Sequence, residues 1–151
     1  MNMPTLSADL RTTRLIEAYV GLRPEGLPAL LELYDPAASF KDPFNEVRGR
    51  AAIERIFRQM FEDLREPRFI VLTAASEGDD AFLTWELHFR RQGRGEPMTI
   101  RGASHLRYAA TGLLALHRDY WDAAEELYAK LPLLGALMRA LRRRLSTPQQ
   151  Q

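Results

Sequence analysis

Apolar residues recur at helical spacing in the first part of the chain. This spacing predicts a first helix over residues 12–22 and a second from Leu27 to Tyr34, which Asp35-Pro36 is expected to end. A third helix is expected between Gly49 and Pro67, with its large apolar side chains on one face. The N-terminal part is therefore helical except for a short strand expected at 38–42.

The period changes to two from Arg68 onward, which is typical of strands with one buried face. The clearest alternation places Leu83, Trp85, Leu87 and Phe89 on one side and polar residues on the other. Four strands are predicted, over residues 69–76, 82–91, 99–109 and 113–121, joined by turns at 78–80, 93–97 and 111–112.

The C-terminal part is predicted to be helical again. Asp122 is a candidate N-cap, and Glu125 completes a capping-box pattern at the start of a helix that runs to Leu131. Pro132 suits the first turn of another helix. Its apolar face comprises Leu134, Leu137, Met138, Leu141 and Leu145, and its polar face carries Arg139, Arg142, Arg143 and Arg144.

Helices followed by a run of antiparallel strands predict an α+β domain, in which a curved sheet holds the helices on its concave side. We expect residues 1–11 to be an N-terminal extension and residues 12–145 to form a single domain. The C-terminal helices occupy 122–145, and a disordered tail covers 146–151.

Composition narrows the possible functions. The 151 residues carry a formal net charge of +1, so no overall field favours nucleic acid as a partner. The absence of cysteine excludes disulfides, thiolate nucleophiles and iron–sulfur clusters, and it is compatible with a cytoplasmic location. Three scattered histidines are poor evidence for a metal site, and no phosphate-binding glycine loop or nucleophile elbow is present. We therefore expect neither a metal nor a cofactor.

Several segments together resemble the SnoaL-like and ketosteroid-isomerase-like branch of the nuclear transport factor 2-like superfamily. The segments are Leu15-Ile16-Glu17-Ala18-Tyr19, the stretch from Tyr34 to Pro43, Gly49-Arg50-Ala51-Ala52-Ile53, Leu106-Arg107-Tyr108 and Asp119-Tyr120-Trp121. The resemblance implies a cone-shaped fold with one deep pocket. It also implies a homodimer formed through the outer face of the sheet. Family members include isomerases, cyclases, dehydratases and non-catalytic binders, so the fold alone does not select a function.

The resemblance also assigns roles to individual residues. Asp42 matches the general base of the ketosteroid isomerases, and Tyr19 matches their oxyanion-hole tyrosine. Tyr34 matches a tyrosine that supports the latter by hydrogen bonding. Residue type alone gives plainer interpretations: Asp42-Pro43 as the end of a strand, and the two tyrosines as core residues of the first two helices.

Two positions depart from the isomerase pattern. The aspartic acid of the oxyanion hole falls on Ser104, and a third tyrosine falls on Phe57, which cannot form a hydrogen bond. Trp121 matches a pocket tryptophan, and the period of two then places His117 and Asp119 inward beside it. They are either an acid–base couple or a polar pocket wall, and direct contact between residues two apart on one strand is uncertain.

Three functions compete. The first is a cofactor-free isomerase or cyclase acting on a hydrophobic, in some cases polycyclic, molecule, with Asp42 as base and an apolar wall of Phe40, Phe57, Phe61, Trp85 and Trp121. The second is a binding or carrier protein without turnover, and the third is a dimeric interaction protein whose own side chains fill the pocket. The outward Glu86, His88, Arg101 and His105 suit a hydrated dimer interface.

The basic C-terminal helix has two interpretations. Its arginines could contact an anionic membrane surface or phosphates. The interpretation we favour packs the leucines on the protein and leaves the arginines in water, and such a helix could cap the pocket or the dimer. We therefore expect no membrane partner.

Overall fold

The computed structural model describes residues 7–91, 95–126 and 132–145. The helices are α1 (Leu10–Val20), α2 (Leu27–Glu32), α3 (Arg50–Asp63), α4 (Ala123–Glu126) and α5 (Pro132–Leu145), with one 3-10 turn at Pro24–Gly26. The strands are β1 (Tyr34–Lys41), β2 (Glu46–Arg48), β3 (Leu64–Glu77), β4 (Asp80–Arg91), β5 (Pro97–Tyr108) and β6 (Leu114–Tyr120).

The six strands form one sheet in the order β2-β1-β6-β5-β4-β3. All neighbouring strands are antiparallel except β1 and β6, which are parallel. The expectation of a purely antiparallel sheet was therefore wrong for this pair. Strands β3 to β6 follow one another through short connections that force reversal, whereas β1 reaches β6 through a long connection that leaves its direction free.

The element at Tyr34 differs from the prediction. Helix α2 ends at Glu32, and Tyr34 begins β1, so Asp35-Pro36 lies inside a strand instead of stopping a helix. Apolar spacing in a short segment does not separate a buried helix from a buried strand. As a result, the Tyr34 side chain is on the sheet, where it is completely buried.

Pro67 also has a different role from the one predicted. Strand β3 begins at Leu64, and Pro67 lies within it, next to Glu66 at a φ of 52° and a break in the β3–β4 register. Because β3 is an edge strand, a proline and a bulge are tolerated there. A second register shift follows between Val71 and Thr73, and such bulges bend a strand.

Both ends of the domain show further differences. Helix α1 begins at Leu10 with Asp9 as its N-cap, so part of the expected N-terminal extension belongs to the folded domain. Asp122 Oδ1 accepts a hydrogen bond from the Glu125 amide, as the capping-box pattern predicted. The predicted continuation to Leu131, the tail from Ser146 and part of the turn at 93–97 lie outside the described residues.

Two leucines of the last helix are exposed, although the expected packing would bury them. In α5, Leu137 is 55% exposed and Leu141 is 43% exposed, whereas the side chains of Leu134, Met138 and Leu145 lie outside the described part of the structure. Among the helices of the described residues, none has the length and hydropathy needed to cross a bilayer.

The core lies between α1, α2 and α3 and the inner face of the sheet. The alternation predicted for β4 is confirmed, since Leu83, Trp85, Leu87 and Phe89 are all buried. On the outer face, His88 bonds to Glu86 at 2.7 Å, and Arg101 lies 3.6 Å from the same carboxylate. The inner face therefore supplies the apolar wall against which any site must be built.

Candidate functional site

A large cavity lies on the inner face of the sheet, between the strands and α3. Its volume is about 540 Å³. Aromatic rings make up much of its wall: Phe40, Phe44, Phe57, Phe69, Phe89, Trp85 and Trp121. Asp42, Asp63 and Asp119 also line it. The cavity therefore combines apolar surface with carboxylates, which is the composition of many small-molecule sites.

A second, much smaller cavity of about 30 Å³ shares Phe57, Phe69, Trp85 and Asp119 with the first. Tyr19, Ser104 and His117 also line it. This volume is enough for one water molecule or one substrate oxygen atom. Asp119 therefore lies between the large, mainly apolar cavity and this small one, which we call the polar recess.

A chain of hydrogen bonds runs through this recess. The indole Nε1 of Trp85 donates to Ser104 Oγ at 2.8 Å, and Ser104 Oγ donates to Asp119 Oδ1 at 2.5 Å. Because an indole N–H can only donate, Ser104 must accept from it and pass its own hydrogen to the carboxylate. Ser104 thus fixes the position of Asp119. By the resemblance, Ser104 stands where the ketosteroid isomerases have the aspartic acid of the oxyanion hole.

His117 reaches the same oxygen from the other side. Its Nε2 lies 2.6 Å from Asp119 Oδ1, which answers the question of contact that the sequence left open. Since the carboxylate only accepts, Nε2 carries the hydrogen of this bond. The tautomer is assigned from these partners. Its other nitrogen, Nδ1, is then available to accept a hydrogen bond.

Two buried tyrosines complete the chain. The Tyr34 hydroxyl lies 2.6 Å from His117 Nδ1 and is also hydrogen-bonded to the Tyr19 hydroxyl, which lies 3.3 Å from the same nitrogen. Burial raises the pKa of Tyr34 and places that of Tyr19 well above the usual range. Both phenols therefore keep their hydrogens. Tyr34 donates to His117 Nδ1, and Tyr19 donates to the Tyr34 oxygen.

Gly102 makes the position of Trp85 possible. The two residues are paired across β4 and β5, and a Cβ at position 102 would lie 2.4 Å from two carbons of the indole ring. Only a glycine lets the ring lie over the β5 backbone at this point. The pattern of residue types gives no indication of this contact.

The two carboxylate candidates differ in what holds them. Asp119 Oδ1 accepts from His117 and Ser104, and no hydrogen bond to Oδ2 is found among the described residues. Asp42 Oδ1 accepts from the amides of Phe44 and Asn45, and the Asn45 side-chain amide reaches both of its oxygens. Asp119 therefore keeps one oxygen available to a ligand, whereas both oxygens of Asp42 already accept hydrogen bonds from the loop that follows it.

The predicted site residues divide into three groups. Asp42, Phe40, Phe57, Trp85, Trp121 and Asp119 line the large cavity, and Tyr19, Ser104 and His117 line the small one. Tyr34 lines neither, because it lies behind His117, and Phe61 packs against the core without lining either cavity. The sequence reasoning missed Phe69, Phe44 and Asp63. Strand alternation could have indicated Phe69, but nothing in the pattern marks Phe44 or Asp63.

Metal binding has no support in the described part of the chain, where no group of three or more histidine, aspartate or glutamate side chains is arranged to hold an ion.

Comparison with solved structures gives the fold. TsrD from Streptomyces laurentii is 21% identical, with a TM-score of 0.69 over 86% of this chain and 99% of that one. A ketosteroid isomerase-like protein from Catenulispora acidiphila, solved with trimethylamine, is 18% identical with a TM-score of 0.70 over 83% and 96%. A SnoaL-like polyketide cyclase, described as putative, from Shewanella denitrificans is 16% identical with a TM-score of 0.65 over 80% and 96%. These likenesses confirm the nuclear transport factor 2-like fold.

Sequence comparison identifies the family more narrowly. No curated protein matches the chain. A family model, the SnoaL-like domain, matches residues 13–117, which is more than half of the chain. The matched region runs from α1 to His117 in β6 and so includes the described residues that line the two cavities, except Asp119 and Trp121. The chain therefore belongs to the SnoaL-like domain family.

Proposed function

We propose that the protein is a cofactor-independent isomerase or cyclase that removes a proton from a carbon next to a carbonyl group in a hydrophobic substrate. The observation that carries this proposal is Asp119 Oδ2, with which no described residue forms a hydrogen bond, while Oδ1 is held by His117 at 2.6 Å and Ser104 at 2.5 Å. A base fixed through one oxygen and open through the other can meet a substrate without first losing a partner.

The reaction needs a base and a donor to the developing negative oxygen. Asp119 Oδ2 takes the proton from carbon, and the electron pair of the broken C–H bond moves to the carbonyl oxygen. The Tyr19 hydroxyl turns from Tyr34 toward that oxygen, exchanging a neutral hydrogen bond for a stronger one to an anion. Return of the proton from Asp119 to a different carbon completes an isomerisation. In a cyclisation the enolate carbon attacks a second carbonyl, and the oxygen of that carbonyl takes the proton from Asp119 to form a hydroxyl group.

The surroundings favour this chemistry. The cavity wall is largely aromatic, so a bound hydrophobic substrate displaces water from it, and each polar interaction inside the cavity is then strengthened. Tyr34 holds the Tyr19 ring by its hydroxyl and remains bonded to His117 Nδ1 while Tyr19 turns. Asp42 stays a second candidate base, since it lines the same cavity and is the residue that the resemblance assigns.

Elimination of 5-nitrobenzisoxazole tests the proposal without knowledge of the natural substrate. The reaction removes one proton from carbon and releases a coloured phenolate, so it reports on base and oxyanion donor together. We expect Asp119→Asn to lower kcat/KM by about a hundredfold and by far more than Asp42→Asn does. Glu77→Gln, which removes an exposed carboxylate at the end of β3, serves as the charge control.

The outcome distinguishes the two carboxylates. A larger loss in Asp42→Asn than in Asp119→Asn assigns the base to Asp42 and contradicts the proposal. Circular dichroism of each variant separates loss of chemistry from loss of fold.

A binding protein without turnover is the second candidate. It is favoured by the Tyr19 hydroxyl, which already contacts both Tyr34 and His117, so the polar recess is satisfied without a ligand. For such a protein, wild type and Asp119→Asn would both fail to accelerate the elimination and would bind hydrophobic ligands equally. The cavity of about 540 Å³ argues against the third idea, a pocket filled by the protein's own side chains.

A further inference from the structure

The charged side chains that line the large cavity, among the described residues, are all acidic. They are Asp42, Asp63 and Asp119, and no arginine or lysine of these residues lines it. None of the three carboxylates forms a salt bridge with an arginine or lysine in the part of the chain that the structure describes. The Asp63 carboxylate, for example, accepts a hydrogen bond from a neutral amide, Gln59 Nε2, at 3.0 Å.

Two basic side chains beside the cavity contact other groups. Lys41 and Arg118 share a neighbouring groove with Asp42 and Asp119. Lys41 Nζ is 3.1 Å from Glu46, and the Arg118 guanidinium lies over the Tyr120 ring at 4.6 Å. Neither of these two side chains forms a salt bridge with Asp42 or Asp119 among the described residues.

Aromatic rings surround the same space. Phe44 and Trp121 meet edge to face at 5.4 Å, and Phe69 and Trp85 do so at 6.0 Å. The face of an aromatic ring carries partial negative charge and attracts a positive group, most strongly when the group is an organic cation with little bound water. The rings thus favour the same sign of ligand as the carboxylates.

From this combination we propose that the ligand is a hydrophobic organic cation, with an amine or quaternary ammonium group on an apolar body. A neutral ligand would cover the carboxylates and remove water from them without supplying a counter-charge, and an anionic ligand would be repelled. The inference rests on the cavity being the ligand site, as the proposed function requires, but it does not require turnover. Asp119 retains its role toward the proton, and Asp42 and Asp63 face the cation.

The test compares two molecules of nearly equal shape, (3-hydroxyphenyl)trimethylammonium and 3-tert-butylphenol. Isothermal titration calorimetry of the full chain at low salt gives both affinities. We expect the ammonium compound to bind at least tenfold more tightly than the neutral one, and added salt to reduce the difference. Asp63→Asn should weaken the ammonium compound severalfold and leave the neutral one unchanged, and Glu77→Gln should affect neither.

Three results would overturn the inference: equal or tighter binding of 3-tert-butylphenol, equal weakening of both compounds by Asp63→Asn, or no binding of either at millimolar concentration. Because Asp63 is exposed and its hydrogen bond to Gln59 can be kept by asparagine, its replacement is not expected to unfold the protein. Preference for the ammonium compound without any elimination activity would support the inference and contradict the proposed function. Elimination activity without that preference would do the reverse.

Discussion

Asp119 Oδ1 lies 2.6 Å from His117 Nε2, although the two residues are neighbours on the same face of one strand and not on adjacent strands. The imidazole is 5% exposed, and its other nitrogen is bonded to Tyr34. This contact holds one oxygen of the carboxylate, and no described residue forms a hydrogen bond with the second. The direction of the hydrogen bonds from Tyr34 to His117 and from Tyr19 to Tyr34 follows from it.

Tyr34 should influence catalysis without touching the substrate. Tyr34→Phe removes the hydroxyl between Tyr19 and His117, so Tyr19 loses the partner that holds its ring. We expect kcat for 5-nitrobenzisoxazole to fall about tenfold with little change in KM, since the wall of the cavity is unaltered.

A matched control for this variant is available in Tyr108, whose hydroxyl is also buried and bonds Thr12 at 2.9 Å away from both cavities. Tyr108→Phe should lower stability and leave kcat unchanged. If Tyr34→Phe behaves in the same way as Tyr108→Phe, Tyr34 has only a structural role.

Replacement of Gly102 should displace Trp85. In Gly102→Ala the new Cβ would be 2.4 Å from the indole, closer than such atoms approach, so the ring or the strand must move. We expect a loss of about 1–3 kcal/mol in the free energy of unfolding, measured with urea, and a changed tryptophan fluorescence spectrum. In Gly21→Ala the nearest atom is an ordinary 3.7 Å away, so that variant should show neither effect.

The sequence predicted the elements far better than the contacts between them. The alternation of β4 and the capping box at Asp122 were readable because each depends on spacing within one segment. The bond from Trp85 to Ser104 depends instead on the register of two strands and on the space above Gly102. Tyr34 was placed on the wrong element because a short apolar run fits a helix and a strand equally well.

The sequence also could not predict that Asp119 keeps one oxygen without a hydrogen bond from the described residues. The resemblance directed attention to Asp42, whose hydrogen bonds to the amides of Phe44 and Asn45 depend on the local loop conformation. No pattern of residue types reveals which of two aspartates has an unoccupied lone pair.

Stability should decrease in alkaline solution because of the buried phenols. Burial raises the folded-state pKa of Tyr19 and Tyr34 above the usual phenol value of 10.0. Their contribution to the free energy of unfolding is therefore complete below about pH 10. It is lost as the pH rises further, because the unfolded chain releases these phenolic protons at a lower pH than the folded protein does. Each phenol contributes a slope of about 1.4 kcal/mol per pH unit in this range.

Urea unfolding of wild type and Tyr19→Phe between neutral and strongly alkaline pH measures this slope. The variant should show the shallower decline. Tyr120→Phe, at an exposed position, should decline as steeply as wild type. Identical slopes for all three proteins would show that Tyr19 titrates as it does in the unfolded chain.

Hydrogen exchange next to a carbonyl group tests the proposed role of Asp119 as the base that removes a proton from carbon. Proton NMR of 2-tetralone in deuterated buffer measures this step directly, as the loss of signal from the hydrogens at C1. We expect exchange well above the buffer rate with wild type, exchange at the buffer rate with Asp119→Asn, and most of the activity retained in Asp42→Asn. Exchange by wild type at the buffer rate, or its loss in Asp42→Asn but not in Asp119→Asn, would show that Asp119 is not the base.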